Sequence, residues 1–245
     1  MSLSDNNINL PWSDKDLAPI RDKVYSYIKD AILRGEFKAG DRLVERNLAD
    51  KLNISRTPIR EALFRLESQK FVSTVPRKGV VVNEISRDEI LEVFLILSSL
   101  ESLAARLAAQ KIDEQTRVEF DQAIAALAAI EQHPEQISDS GTHLDINLQY
   151  NDLIGKASKN IRLHEMLMEL KDYVRAFTNL SSQTPGRAME ALKEHLNILI
   201  AVRDGQEGLA ENYARVHVEK ARNAYLKASV QAQADAAAAQ QQHSA

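Results

Sequence analysis

Apolar residues recur at helical spacing over most of the chain, and the exceptions are short and well marked. From Leu17, the positions Ile20, Val24, Ile28 and Ile32 line one face of a helix, and Gly35 supplies its stop. A second, short helix carries Val44, Leu48 and Leu52 at i, i+4 and i+8. A turn at Asn53-Ile54 then leads to Ser55-Arg56-Thr57-Pro58. Thr57 suits a helix cap and Pro58 the first helical position, so a third helix is expected there, with Ile59, Ala62, Leu63 and Leu66 facing inward. Two β-like runs, Phe71 to Val75 and Val80 to Val82, flank Pro76-Arg77-Lys78-Gly79, which reads as a hairpin with a basic tip. Three helices and a hairpin predict a winged helix-turn-helix over residues 15–84.

Ser86-Arg87-Asp88-Glu89 has the capping-box spacing and opens a long helix to about Gln110, marking a domain boundary. Amphipathic segments follow near 113–132, 140–157, 160–181, 187–204 and 207–229, separated by Asp113, His133-Pro134, Ser158-Lys159-Asn160, Pro185-Gly186 and Gly205. Six helices without a strand pattern predict a helical bundle over 85–230. The fold class expected is therefore mainly α, a winged helix-turn-helix followed by an all-α bundle. Residues 1–14 and the Ala/Gln-rich tail 231–245 are expected to be disordered.

Composition narrows the function classes. The 245 residues contain no cysteine, which removes disulfides and thiolate metal sites and fits a reducing cytoplasm. No run approaches a membrane span, so no membrane partner is expected. The net charge of −4 hides an asymmetry. Residues 15–80 hold 15 Lys/Arg against 9 Asp/Glu, a balance of +6, whereas residues 81–245 hold 16 against 24, a balance of −8. A basic front on an acidic body is what a chain shows when one domain meets phosphates. Enzyme signatures are missing: no histidine has a Glu three residues before it, and there is no His-Glu-x-x-His, phosphate-binding Gly loop or Gly-x-Ser-x-Gly. Catalysis is therefore not expected.

On the expected third helix, Arg56, Thr57 and Arg60 share a flank away from the apolar stripe, where a helix N-terminus also favours phosphate. Arginine can take guanine O6 and N7 in a bidentate contact. Arg46 would lie beside the DNA backbone, and Lys78 with Gly79 at the hairpin tip would reach an adjacent groove.

The strings Glu45-Arg46-Asn47-Leu48-Ala49, Ser55-Arg56-Thr57-Pro58-Ile59-Arg60-Glu61-Ala62-Leu63 and Pro76-Arg77-Lys78-Gly79-Val80 resemble the GntR family of bacterial regulators. The resemblance implies that Arg46, Ser55, Arg56, Thr57, Arg60 and Gly79 touch operator DNA. Phe64 departs from the family, which often has a basic residue there; it either alters sequence preference or packs beneath the wing. One short recognition helix per chain offers few base contacts, so a homodimer on a two-fold-related, double-stranded operator is expected.

The second half is similar to the FCD effector domain of the FadR-type branch, in the shorter, VanR-like form by helix count. Asp88 to Ala109, with Leu100-Glu101 and Ala104-Ala105-Arg106-Leu107-Ala108, looks like its first helix. Many such domains hold a divalent metal with an Asp and a His four residues apart plus two later His. His195 and His217 match the later pair. Asn147 and Asn151 stand where the Asp and His are expected. Amide oxygens are weak ligands for a transition metal, so a metal on these four residues is disfavoured. An altered site using His143 or Asp145 remains open. The competing reading is a polar pocket in which Asn147, Asn151, His195 and His217 contact the effector directly, with Arg175 as partner for a small carboxylate. His133, His164 and His243 read as surface or loop residues. A regulator, most often a repressor, that responds to a metabolite is the function this implies; an effector-independent architectural DNA protein is the alternative.

Overall fold

A computed structural model describes residues 17–133, 140–177 and 186–243. The chain divides after Ile85 into two compact units. The expected disorder at 1–14 lies outside the described residues.

The first unit contains α1 (Ile20–Leu33), β1 (Arg42–Leu43), α2 (Glu45–Leu52), α3 (Arg56–Ser68), β2 (Val72–Val75) and β3 (Gly79–Val82). Helix α3 packs against α1, α2 and β2, and the core includes Val24, Ile28, Leu52, Ile59, Leu66 and Phe71. Gly35, at φ 74°, ends α1. Asn53, at φ 47°, closes α2 in the left-handed region that Asn tolerates better than most residues. The hairpin β2–β3 pairs Val72 with Val82 and Val75 with Gly79. The sheet has a third, unexpected strand: β1 adds to β3, Arg42 opposite Val81 and Leu43 opposite Val80. Two residues are too few to show the alternation by which a strand is read.

The second unit is helical throughout its described residues: α4 (Arg87–Gln110), α5 (Glu114–Gln132), α6 (Ser140–Ala157), α7 (Ile161–Phe177), α8 (Arg187–Arg203) and α9 (Glu207–His243). Ser86 caps α4, its side chain accepting the Glu89 N–H at 3.2 Å. Helix α4 is the central element, packed by α6, α7, α8 and α9, while α5 leans on α8. Gly155 in α6 lets α7 approach closely, because a Cβ there would collide with the His164 ring. His164 is thus not the surface residue expected but a half-buried one, its Nε2 3.1 Å from Asp152 on α6. The tail also differs from expectation. Instead of becoming disordered at 231, α9 runs to His243, since Ala and Gln are strong helix formers that propagate a helix already nucleated on a packed segment. No helix among the described residues is long and apolar enough to cross a membrane.

Candidate functional site

Two sets of residues carry chemistry, one in each unit. In the first, α3 starts earlier than the sequence suggests. Ser55, extended at φ −69° and ψ 162°, takes the capping position, and Arg56 is the first helical residue. Pro58 falls in the first turn, where its missing N–H costs nothing because first-turn N–H groups have no partner inside the helix. Ser55, Arg56, Thr57 and Arg60 are all exposed, so polar side chains and free N–H groups share one end of α3.

Arg60 is held rather than loose. Its Nε and Nη2 donate to Glu45 Oε1 and Oε2 at 3.1 and 2.9 Å. The hydrogen bonds from Arg60 hold the Glu45 carboxyl below its ordinary pKa. This side-on pairing leaves the end-on edge of the guanidinium, Nη1 and one Nη2 hydrogen, free for a second bidentate acceptor, which is the edge guanine O6 and N7 require. Arg46 is exposed and only loosely paired, its Nε 3.7 Å from Asp50.

At the wing tip, Lys78 is exposed and its backbone N–H donates to Val75 O at 3.1 Å. Gly79 has φ +80°, which explains glycine there. Space is not the constraint, because a Cβ at this position would meet only Arg42 Nε and Nη2, at 3.6 and 3.7 Å. Arg42 is therefore a cation of the wing that the sequence reading did not single out. Phe64 does not pack beneath the wing; it is 73% exposed.

In the second unit, α8 and α9 bring His195 and His217 together. Both are buried, with Nε2 atoms 3.3 Å apart. His217 Nδ1 lies 2.7 Å from Glu194 Oε2, and Arg187 Nη1 and Nη2 donate to Glu194 at 3.0 and 2.8 Å. Burial alone would push the Glu194 carboxyl up, but the hydrogen bonds from His217 and Arg187 outweigh it and hold the pKa at about 2. Ionised at neutral pH, Glu194 can only accept, so His217 Nδ1 carries the proton. The Nε2 atoms of His217 and His195 share one hydrogen bond, whose direction follows from the tautomers of the two rings.

Tyr150, from α6, stacks on His195 with ring centroids 3.9 Å apart. Its hydroxyl is buried with no hydrogen-bond partner among the described residues, and burial pushes its pKa up. Glu101, on the inward side of α4, is 2% exposed and receives Lys171 Nζ of α7 2.6 Å from Oε2. Asn151 is half-buried beside Tyr150. The side chains of Asn147, His143 and Asp145 lie outside the described residues. Arg175 follows Lys171 one turn later; its Nη2 is 3.2 Å from Asp172, and its Nε–H is buried without a partner among the described residues. Sequence reading missed Glu101, Tyr150, Lys171, Arg187 and Glu194. Glu101 did leave a signal, a charge within the apolar stripe Phe94, Leu97, Ala104, Ala105 and Ala108.

Comparison with known proteins gives two family matches. Residues 20–82 match bacterial regulatory proteins of the gntR family, and residues 92–220 match the FCD domain. The chain is 26% identical over 197 residues to the HTH-type transcriptional regulator YdhC of Bacillus subtilis, covering 79% of this chain and 85% of that one. It is 27% identical over 186 residues to the Nta operon transcriptional regulator of Aminobacter aminovorans, covering 75% and 84%. The solved structure of E. coli McbR/YncC has the same fold, with a TM-score of 0.72 at 22% identity over 86% of this chain and 99% of that one.

Proposed function

The chain belongs to the gntR family of DNA-binding transcription regulators and carries its FCD domain, and on that premise we propose that it represses transcription until a small carboxylate binds in the helical unit. The observation that carries the reading is the polar cluster buried in that unit. Among the described residues, Tyr150 Oη–H and Arg175 Nε–H are buried donors without acceptors, each costing about 1–3 kcal/mol while unpaired. A carboxylate brings the acceptors they lack. In this reading Asn147, Asn151, Arg175, His195 and His217 contact the effector.

The divalent metal common in FCD domains does not fit the donors present. His195 and His217 bring two imidazole nitrogens together, but the other two positions aligned with the family's ligands carry no strong donor. Asn147 and Asn151 offer at most neutral amide oxygens. The histidines therefore serve as hydrogen-bonding residues, one fixed by Glu194. On DNA, Arg60 reads a base while Arg46 and Lys78 hold phosphates, with Ser55, Arg56, Thr57 and Gly79 completing the contact. A homodimer supplies two such faces to a two-fold-related operator. Relatives named as transcription regulators accord with binding rather than turnover.

Thermal melts of the full chain against a panel of small carboxylic acids, with and without chelator, test this. One acid is expected to raise the melting temperature and to weaken operator binding in a gel shift, unaffected by chelation. Arg175→Ala should abolish both responses while leaving operator binding intact. A response lost on chelation sinks the metal-free reading, and an acid panel with no effect on operator affinity sinks the carboxylate effector.

A further inference from the structure

Phe64 is the most exposed aromatic side chain among the described residues. Its place on α3 gives that exposure a meaning. The buried side of α3 carries Pro58, Ile59, Ala62, Leu63 and Leu66. At about 100° per residue, Thr57 and Phe64 project within about 20° of one another, on the side diametrically opposite Leu66, with Arg60 beside them. Phe64 therefore stands at the centre of the outward face of the helix that reads DNA. The rise from Arg60 to Phe64 is about 6 Å, enough to place the ring over a different base pair from the one Arg60 reaches.

A phenyl ring cannot donate to phosphate or to a base edge. In the major groove, the one apolar group that a base pair offers is the C5-methyl of thymine. We propose that Phe64 is a specificity-determining residue that reads a thymine methyl beside the base read by Arg60. The flanking cations Arg56 and Arg60 favour a polyanionic partner over an apolar protein surface, and the ring is continuous with the DNA-reading face. Removing one buried methyl should weaken binding about fourfold.

The test is a uracil scan with the full chain. The tightest-binding operator is first selected from a random DNA pool. Each thymine is then replaced singly by deoxyuridine, which removes only the C5-methyl, and affinities are measured for the unmodified protein, Phe64→Ala and Phe64→Leu. One thymine position, or a symmetric pair, is expected to lose about fourfold with the unmodified protein and nothing with Phe64→Ala. Phe64→Leu should keep part of the effect. No sensitive thymine, or the same sensitivity in Phe64→Ala, overturns the proposal. An equal loss of affinity by Phe64→Ala on operator and random DNA also overturns it, because reading a base must be selective. So does unchanged DNA binding with altered self-association, which would make Phe64 a protein-contact residue. Arg60→Ala serves as the control for the premise: if it leaves base discrimination unchanged, α3 is not the reading helix, and that failure is separate from the failure of Phe64.

Discussion

Glu194 concentrates more of the helical unit's chemistry than any other single residue. It accepts two hydrogen bonds from Arg187 and one from His217, and Lys220 Nζ lies 3.2 Å from its Oε1. Its folded pKa, about 2, lies below the ordinary 4.5. A depressed carboxyl pKa contributes stability that is fully present above the unfolded value and is lost as pH falls through the folded one. The helical unit should therefore lose stability between about pH 5 and pH 2, and melts recorded across that window will show it. Glu194→Gln should remove this segment of the pH profile. It should also cost about 3–5 kcal/mol at neutral pH, because Arg187 stays buried without its counter-charge. Replacing Glu194 and Arg187 together by Leu should recover only part of that loss, because His217 Nδ1–H then lacks its acceptor. A Glu194→Gln variant with an unchanged acid limb would show that other carboxylates set it.

At the scale of elements, helix ends carry local signals that packing does not. Asp113 caps α5 by accepting the Thr116 N–H at 2.8 Å, and it also receives Lys159 Nζ at 2.6 Å from the turn after α6. The Lys159 and Thr116 hydrogen bonds hold its carboxyl well below the usual range. Asp113→Ala should lower the melting temperature of the unit, as loss of a cap does. Asp113→Asn should retain most of the stability, because the amide oxygen still caps and an exposed ion pair contributes little. If thermal unfolding shows Asn to be as harmful as Ala, the tie to Lys159 outweighs the cap.

The same division between local and long-range information explains what the sequence could reveal. Ser86, Asp113, Gly35 and Asn53 marked ends of elements because capping and left-handed turns depend on the residue itself. The start of α3 was displaced because Ser55 and Thr57 are both competent caps and Pro58 is tolerated throughout the first turn. β1 exists only through its pairing with β3. The His195–His217 pair was legible from its resemblance to a known pattern. Its surroundings were not, since Glu101, Tyr150 and Lys171 come from three other helices and meet only when the bundle closes. Arg187 and Glu194, two turns apart on α8, share a helix face; sequence spacing alone did not show that this face is buried.

For the whole molecule, the basic front and acidic body make operator binding a counterion-release problem. Each phosphate neutralised adds about 0.9 to the slope of log affinity against log salt concentration. Arg46 suits this role because it is exposed and its pairing with Asp50 is loose, so the free protein gives up little when the guanidinium moves to a phosphate. If one chain binds, Arg46→Ala should reduce the slope by about one. On the proposed homodimer, each protomer presents its own Arg46, and the same substitution should reduce the slope by about two. Salt titrations of operator affinity for the unmodified protein and Arg46→Ala therefore test both the phosphate contact and the stoichiometry. A reduction of about one would mean a single bound chain, and the two-fold operator would fall with it. An unchanged slope would move Arg46 off the phosphates altogether and leave them to other exposed cations of the first unit, Lys78 and Arg42 at the wing among them.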